Sequence, residues 1–261
     1  VGTLTSALQF GFIAGTLVFA LLAIADRFAP RRVFLVCALA GAACTVGAWW
    51  MVRDHTALLV WRFATGFFLA GIYPVGMKIA AQWYTRGLGG ALGLLIGALV
   101  LGSASAHALR ALSGALPWPT LMLGVAALAA AGGLLLFFGT TDPPHAQARV
   151  TVLQWRALGT LWTDARVRSS VLGYFGHMWE LYTMWVMVPL VLATRLQGAA
   201  LSWAAFCVLG AGVIGCAGGG WVAQRWGSAR VAGTQLAISG LCCLAAFVMI
   251  DAGDALFYAW L

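Results

Sequence analysis

The sequence LAIADRFAPRR, from Leu22 to Arg32, is a short loop with four charged residues between two long apolar runs. The first run extends over Val1–Ile24 and the second over Val33–Val52. About 20 apolar residues are enough for a helix to cross the hydrocarbon core of a bilayer. The stretch therefore predicts two membrane-spanning helices joined by a charged loop at one membrane surface.

Apolar runs of this length recur along the whole chain. Hydrophobic residues make up 62% of the sequence and charged residues 8%, whereas a soluble domain has about 25% charged residues. We therefore predict an all-α membrane protein. A ninth run opens at Ala255 and stops at Leu261. Besides the two runs above, six others are long enough to span: Ala57–Ala81, Leu88–Ala108, Trp118–Gly139, Ser169–Leu192, Leu201–Ala223 and Val231–Ile250.

The net charge is +8. The basic residues lie in short loops between the runs and form no patch with aromatic residues, so we expect no nucleic-acid partner. The alternate loops differ strongly, because one side receives eleven basic residues and the other three. The positive-inside rule makes the richer side cytoplasmic. We therefore expect a multi-pass protein of the cell inner (plasma) membrane, with the lipid bilayer as a partner and Val1 outside. The eleven are Arg27, Arg31, Arg32, Lys78, Arg86, Arg149, Arg156, Arg166, Arg168, Arg225 and Arg230.

Motifs typical of enzymes do not occur in the sequence, and no acidic cluster suits a metal ion, so no enzymatic activity, metal or cofactor is predicted. All six cysteines lie inside apolar runs, where they are expected to be small buried residues without disulfides.

The longest loop, from Thr140 to Val167, divides the chain into an N-terminal bundle (1–139), a central cytoplasmic loop (140–167) and a C-terminal bundle (168–261). Two interpretations of its second part stay open: an interfacial helix on the inner leaflet, or a solvated linker. Residues also match across this loop at a fixed offset of 198, as in Arg27 with Arg225 and Arg32 with Arg230. A parallel internal repeat of this kind is known in secondary transporters.

The stretch from Leu22 to Arg32 resembles the cytoplasmic loop motif of the major facilitator superfamily, Gly-x-Leu-Ala-Asp-Arg-x-Gly-Arg-Arg, found between helices two and three of twelve. Arg62-Phe63-Ala64-Thr65-Gly66 is similar to the family's Arg-x-x-x-Gly pattern in helix four. The resemblance implies a twelve-helix fold of two pseudo-symmetric bundles. On this register the chain covers helices two to nine and the start of ten, and we expect a fragment truncated at both ends.

The motif departs from the family pattern at Leu22 and Ala29, and its second copy has Gln224 in place of an acidic residue. Its Asp-Arg centre is intact. We expect Asp26 to accept hydrogen bonds from a helix N-terminus or from a basic partner across the bundle interface, and so to latch one conformation. The other candidates for this conformational switch are Arg27, Arg31, Arg32, Arg225 and Arg230. In the alternative interpretation, the arginines only anchor the topology.

Charged residues within the spans are functional candidates, because hydrocarbon penalises a charge strongly. Glu180 lies near the middle of its run, and Tyr174, His177 and Glu180 follow at spacings of three, so His177 neighbours both others on a helix. We predict that Glu180 carries a proton and that His177 shares it, although a purely structural carboxyl remains open. Arg62 and Tyr73 are further candidates in a helix kinked by Pro74, with Arg62 either snorkelling to the headgroups or binding an anion.

Glycines recur four apart on single helix faces, as in Gly11 and Gly15, Gly89, Gly93 and Gly97, and Gly215 and Gly219. Such faces allow close helix packing, either static or sliding. We expect a monomer that transports a small-molecule substrate by secondary active transport with alternating access, with proton coupling as a further expectation. The alternative is a non-transporting sensor or receptor that retains the transporter fold.

Overall fold

The computed structural model of the chain describes residues 2–50, 54–84, 86–112, 117–141, 159 and 162–261. These residues contain no strand, which confirms the all-α prediction. They form eleven helices: α1 (Gly2–Leu21), α2 (Ile24–Arg27), α3 (Pro30–Trp50), α4 (His55–Leu69), α5 (Tyr73–Trp83), α6 (Leu88–Leu112), α7 (Trp118–Gly139), α8 (Ala165–Leu192), α9 (Gly198–Trp226), α10 (Ser228–Met249) and α11 (Asp254–Trp260).

Seven segments of the described chain are long and apolar enough to cross a membrane, and they correspond to seven of the eight predicted runs. The eighth run, Ser169–Leu192, lies within α8, which is 28 residues long but is not among the seven. His177, Glu180 and Pro189 lower the mean hydropathy of this run, so its crossing of the membrane stays a prediction. The predicted interfacial helix falls largely on residues 142–158 and 160–161, outside the described residues.

Local capping explains several helix boundaries. Asp54 precedes α4 and accepts a hydrogen bond from the Ala57 N–H at 2.7 Å, and Asp164 does the same for α8. Pro30 is the first residue of α3. An N–H group at this position would have no acceptor within the helix, so proline costs the helix no hydrogen bond there. Gly227 separates α9 from α10 with a φ of 87°, which glycine adopts without steric cost.

The run Ala57–Ala81 was predicted as one helix kinked at Pro74, and it is interrupted between α4 and α5. The chain turns at residues 70–72, and Pro74 lies in the first turn of α5. A proline inside a helix removes one hydrogen bond and clashes with the preceding turn, whereas the first turn tolerates it. The interruption therefore begins one helical turn earlier than the proline itself.

The first of two compact units comprises Val1–Thr85 and Ala115–Gln154. In it α1 packs against α4, and α3 packs against α4, α5 and α7. The α1–α4 contact depends on small residues, because a Cβ on Gly11 would collide with the Phe63 carbonyl and one on Gly66 with the Leu8 carbonyl. The predicted glycine spacing on α1 thus corresponds to a backbone-to-backbone contact.

The second unit comprises Arg86–Gly114 and Trp155–Leu261, so it groups α6 with the second half of the chain. The helix α6 packs along α9. A Cβ on Gly89 would lie 2.8 Å from the Gly220 carbonyl oxygen, and one on Gly93 would lie 2.6 Å from that of Cys216. The sequence-based division at residue 139 stays a prediction.

In the second unit, Arg195 binds the loop before α11 and the first turn of that helix. Its guanidinium donates to the carbonyl oxygens of Ile250 at 3.0 Å and Ala252 at 2.5 Å, and it pairs with Asp254. It also lies over the ring of Phe257, 4.2 Å from the centroid. Because these contacts satisfy the loop's carbonyl groups, they fix where α11 begins.

Large apolar side chains are exposed on many helix faces, with Phe138 78% and Phe247 85% exposed. Faces of this kind suit lipid rather than water. The cysteines differ in their exposure. All six are free thiols, and Cys37 and Cys44 are buried as predicted. The prediction of burial is wrong for Cys207, Cys242 and Cys243, because these side chains lie on helix faces that the protein does not cover.

Candidate functional site

Glu180 lies 12 residues before the end of α8, or about 18 Å along the helix axis. The side chain of Asp164 caps this helix by accepting hydrogen bonds from the N–H groups of Arg166 and Val167. The Glu180 side chain is 21% exposed. A carboxyl group is therefore held in the interior part of a long helix, where an unpaired charge is unfavourable.

The two oxygen atoms of the Glu180 carboxyl group have different neighbours. Ser239 of α10 donates its hydroxyl hydrogen bond to Oε1. The Nδ1 atom of His177, one turn earlier on α8, lies 3.6 Å from Oε2. That separation is longer than a hydrogen bond, so the pair interacts electrostatically in this conformation. The structure thus brings together two of the predicted residues and adds Ser239.

Tyr174, the third member of the predicted series, lies on the same helix with its side chain 56% exposed. No contact with His177 or Glu180 is recorded for it within the described chain. The aromatic contact in this part of α8 joins Tyr182 and Trp185 instead, with ring centroids 5.6 Å apart. Tyr174 therefore remains a candidate by its position on the helix.

Arg62 lies in α4 of the first unit and is partly buried. Among the described residues, no hydrogen bond or ion pair is recorded for its guanidinium. One turn further, Gly66 packs against α1, which leaves little room on that side. Tyr73 is the first residue of α5, directly after the break in the helix. Both candidates thus flank an irregular segment of the fourth-helix region.

The loop motif contains an ion pair that holds Asp26. Lys78 of α5 donates to the Asp26 carboxylate and also to the carbonyl oxygen of Ala25 at 2.7 Å. Asp26 lies in the short helix α2, which follows Ala23 at a left-handed φ of 49°. This basic partner of Asp26 belongs to the same unit of the chain, so a contact across the bundle interface stays a prediction.

The arginines of the motif differ in their surroundings. Arg31 donates to the Thr140 carbonyl oxygen at 3.2 Å and lies over the Phe137 ring, so it connects the loop with the end of α7. Arg27 and Arg32 are exposed at the surface. In the second copy of the motif, Arg225 lies over the ring of Trp221 on its own helix, and Arg230 is exposed.

Sequence reasoning missed Lys78 and Ser239 as partners of the two acidic candidates. Lys78 is the only lysine in the chain, and pairing it with the acidic residue at the same membrane surface would have found it. Ser239 gave no such signal, because a serine in a membrane helix usually bonds the carbonyl four residues earlier in its own helix.

In the part of the chain that the structure describes, no group of three or more His, Cys, Asp or Glu residues could hold a metal ion. The chemistry available at Glu180 is therefore that of a carboxyl, an imidazole and a hydroxyl group. Such a set can take up, share and release a proton.

Comparison with known proteins gives one match. A sequence model described as the Major Facilitator Superfamily matches residues 1–261, which is the whole chain. No curated protein and no solved structure matches it.

Proposed function

The chain belongs to the major facilitator superfamily, and on this premise we propose that it performs secondary active transport of a small solute by alternating access. Members of the superfamily are membrane transporters rather than enzymes. Seven candidate spans agree with a multi-pass membrane protein. We propose the inner (plasma) membrane as its location, with the side richer in basic residues facing the cytoplasm.

The carboxyl group of Glu180 is proposed as the proton-coupling site. The supporting observation is its contact with Ser239 and His177 in the interior of α8. An isolated carboxylate in an apolar medium is so unfavourable that it takes up a proton instead. A carboxyl that is neutral in one conformation and ionised in the other carries one proton per cycle.

The remaining candidates are proposed as contacts for the substrate. Arg62 supplies a permanent positive charge, because a guanidinium stays protonated in proteins. A cation without a described partner favours a substrate with an anionic group. Tyr73, in the same unit as Arg62, supplies a hydroxyl group and an aromatic face for the rest of the molecule, whereas Tyr174 is a separate candidate on α8 of the second unit. Asp26 and the loop arginines are proposed to govern the change of conformation rather than binding.

Proton movement is the probe that tests this function before the substrate is known. The full-length protein would be placed in phosphatidylethanolamine–phosphatidylglycerol vesicles loaded with a pH-sensitive dye, and small carboxylates, amines and sugars would be added one at a time. We expect one class to cause a saturable change of internal pH. A protein that moves none of the solutes faster than empty vesicles would contradict the proposal.

Replacement of Glu180 separates coupling from transport itself. Glu180→Gln keeps the size and the hydrogen bonding of the side chain but cannot titrate. We expect it to abolish accumulation driven by a pH gradient while exchange of labelled solute at equal concentrations continues. Asp251→Asn removes an exposed carboxylate and serves as the control. Normal pH-driven accumulation by Glu180→Gln would assign coupling to another residue.

A further inference from the structure

The hydroxyl group of Ser239 differs from those of other helical residues in the direction of its hydrogen bond. Thr45, Thr65 and Thr183 donate to the carbonyl oxygen four residues earlier in their own helices, at 2.7–2.9 Å. This intrahelical bond is the usual one for such side chains. Ser239 instead donates across helices, from α10 to the Oε1 atom of Glu180 on α8.

We propose that Ser239 is a positioning residue that occupies Oε1 of Glu180 and leaves Oε2, the oxygen facing His177, to gain and lose the proton. This inference rests on the proposed coupling role of Glu180. A protonated carboxyl keeps one carbonyl-like oxygen that still accepts hydrogen bonds. The Ser239 bond therefore persists in both protonation states, with Oε1 as the acceptor in each.

The energetic consequence follows from the strength of the two bonds. A hydrogen bond from a hydroxyl group to an ionised carboxylate is roughly twice as strong as one to a neutral acceptor. Ser239 thus binds Oε1 more strongly when Glu180 is ionised than when it is protonated, and it remains bonded to that oxygen in both states. The proton itself moves between Oε2 and either the Nδ1 atom of His177 or water, and no other bond is broken.

The neighbours of the carboxyl are His177 on α8 itself and the Cys243 thiol on α10. The helix α9, which packs against α8, has its charged residue Arg225 in its last turn, over the ring of Trp221. On α11, the carboxylate of Asp254 is paired with Arg195.

Infrared titration of the full-length protein reports on this carboxyl without any substrate. The carbonyl-stretch band of a protonated carboxyl that disappears at high pH is assigned to Glu180 if Glu180→Gln removes it. We expect Ser239→Ala to shift this band to higher frequency, because the carbonyl-like oxygen loses its hydrogen-bond donor.

Two further variants make the result specific. Ser239→Thr keeps the hydroxyl group and should return the band to the wild-type frequency. Ser103→Ala removes a hydroxyl that bonds Leu99 of its own helix, at 3.0 Å, and should leave the frequency unchanged. If the band belongs to Glu180 and Ser239→Ala leaves its frequency unchanged, the inference is wrong while the proposed function survives. If Glu180→Gln removes no titrating band, the coupling role itself is wrong.

Discussion

Single polar residues in this chain act through partners that are distant in sequence. Asp26 is paired with Lys78 and Glu180 with Ser239, over separations of 52 and 59 residues. A carboxylate inside or at the edge of a membrane is stabilised when a donor faces it. The candidates Asp26 and Glu180 were predictable from the sequence, because a charge in an apolar chain is conspicuous. Of their partners, Lys78 could have been found because it is the only lysine in the chain. Ser239 could not, because the sequence does not state which helix faces align.

The Asp26–Lys78 pair is a testable element of the proposed conformational switch. Both side chains are partly exposed, at 43% and 25%, so the pair contributes about 1 kcal/mol at most. We expect Asp26→Asn to slow turnover up to about five-fold, which corresponds to that free energy. Membrane insertion and apparent substrate affinity should change little. The measurement is the initial rate of entry of the solute identified by the dye assay.

Lys78→Gln should slow turnover by the same factor, and the double variant Asp26→Asn with Lys78→Gln should be no slower than either single one. Asp251→Asn, which removes an exposed charge elsewhere, is the control. Full turnover in both single variants would leave the loop as a topology anchor.

Two helix pairs in the described chain meet through small residues. Glycines allow the backbones of α1 and α4, and of α6 and α9, to approach closely. The spacing on α6 was visible in the sequence, since Gly89, Gly93 and Gly97 recur every four residues. The partner face on α9 was less predictable: Cys216 and Gly220 meet α6, whereas Gly219 faces Gln235 of α10. Three glycines in a row, from Gly218 to Gly220, left several faces equally suitable.

Replacement of one glycine of α6 tests this contact. In Gly93→Leu the new Cβ would lie 2.6 Å from the carbonyl oxygen of Cys216, so α6 and α9 must move apart. Forcing atoms into a packed contact typically destabilises a protein by about 1–3 kcal/mol. We expect a lower temperature of thermal unfolding in detergent, followed by tryptophan fluorescence.

Gly102→Leu is the matched control on the same helix, because a Cβ there meets no atom within 4 Å. It should keep the wild-type unfolding temperature or raise it slightly, since leucine favours helix more than glycine does. Equal unfolding temperatures for Gly93→Leu and Gly102→Leu would mean that the two helices do not pack in this way.

For the whole molecule, apolar length predicted the spans well because the bilayer imposes one thickness on every crossing. Seven predicted runs correspond to candidate spans, and the eighth forms the helix α8 with more polar residues. The grouping of helices was less predictable, because contacts between faces decide it. The helix α6 belongs to the first half of the sequence but packs against α9 of the second. Sequence order and spatial neighbourhood therefore differ where the small-residue faces meet.

Orientation in the membrane is the remaining property of the whole molecule that the sequence predicts. The eleven-to-three distribution of basic residues places the loop before α9 outside and the loop after it inside. Gln197 and Ser228 flank α9 at opposite ends, and both are exposed. Arg195 suits labelling less well, because its side chain is bound to the start of α11.

In a cysteine-free background, Gln197→Cys should react with an impermeant maleimide on intact cells. Ser228→Cys should react only after permeabilisation, because α9 carries it to the cytoplasmic side. Labelling of Ser228→Cys but not Gln197→Cys on intact cells would reverse the topology, and with it the side to which the Asp26 loop is assigned.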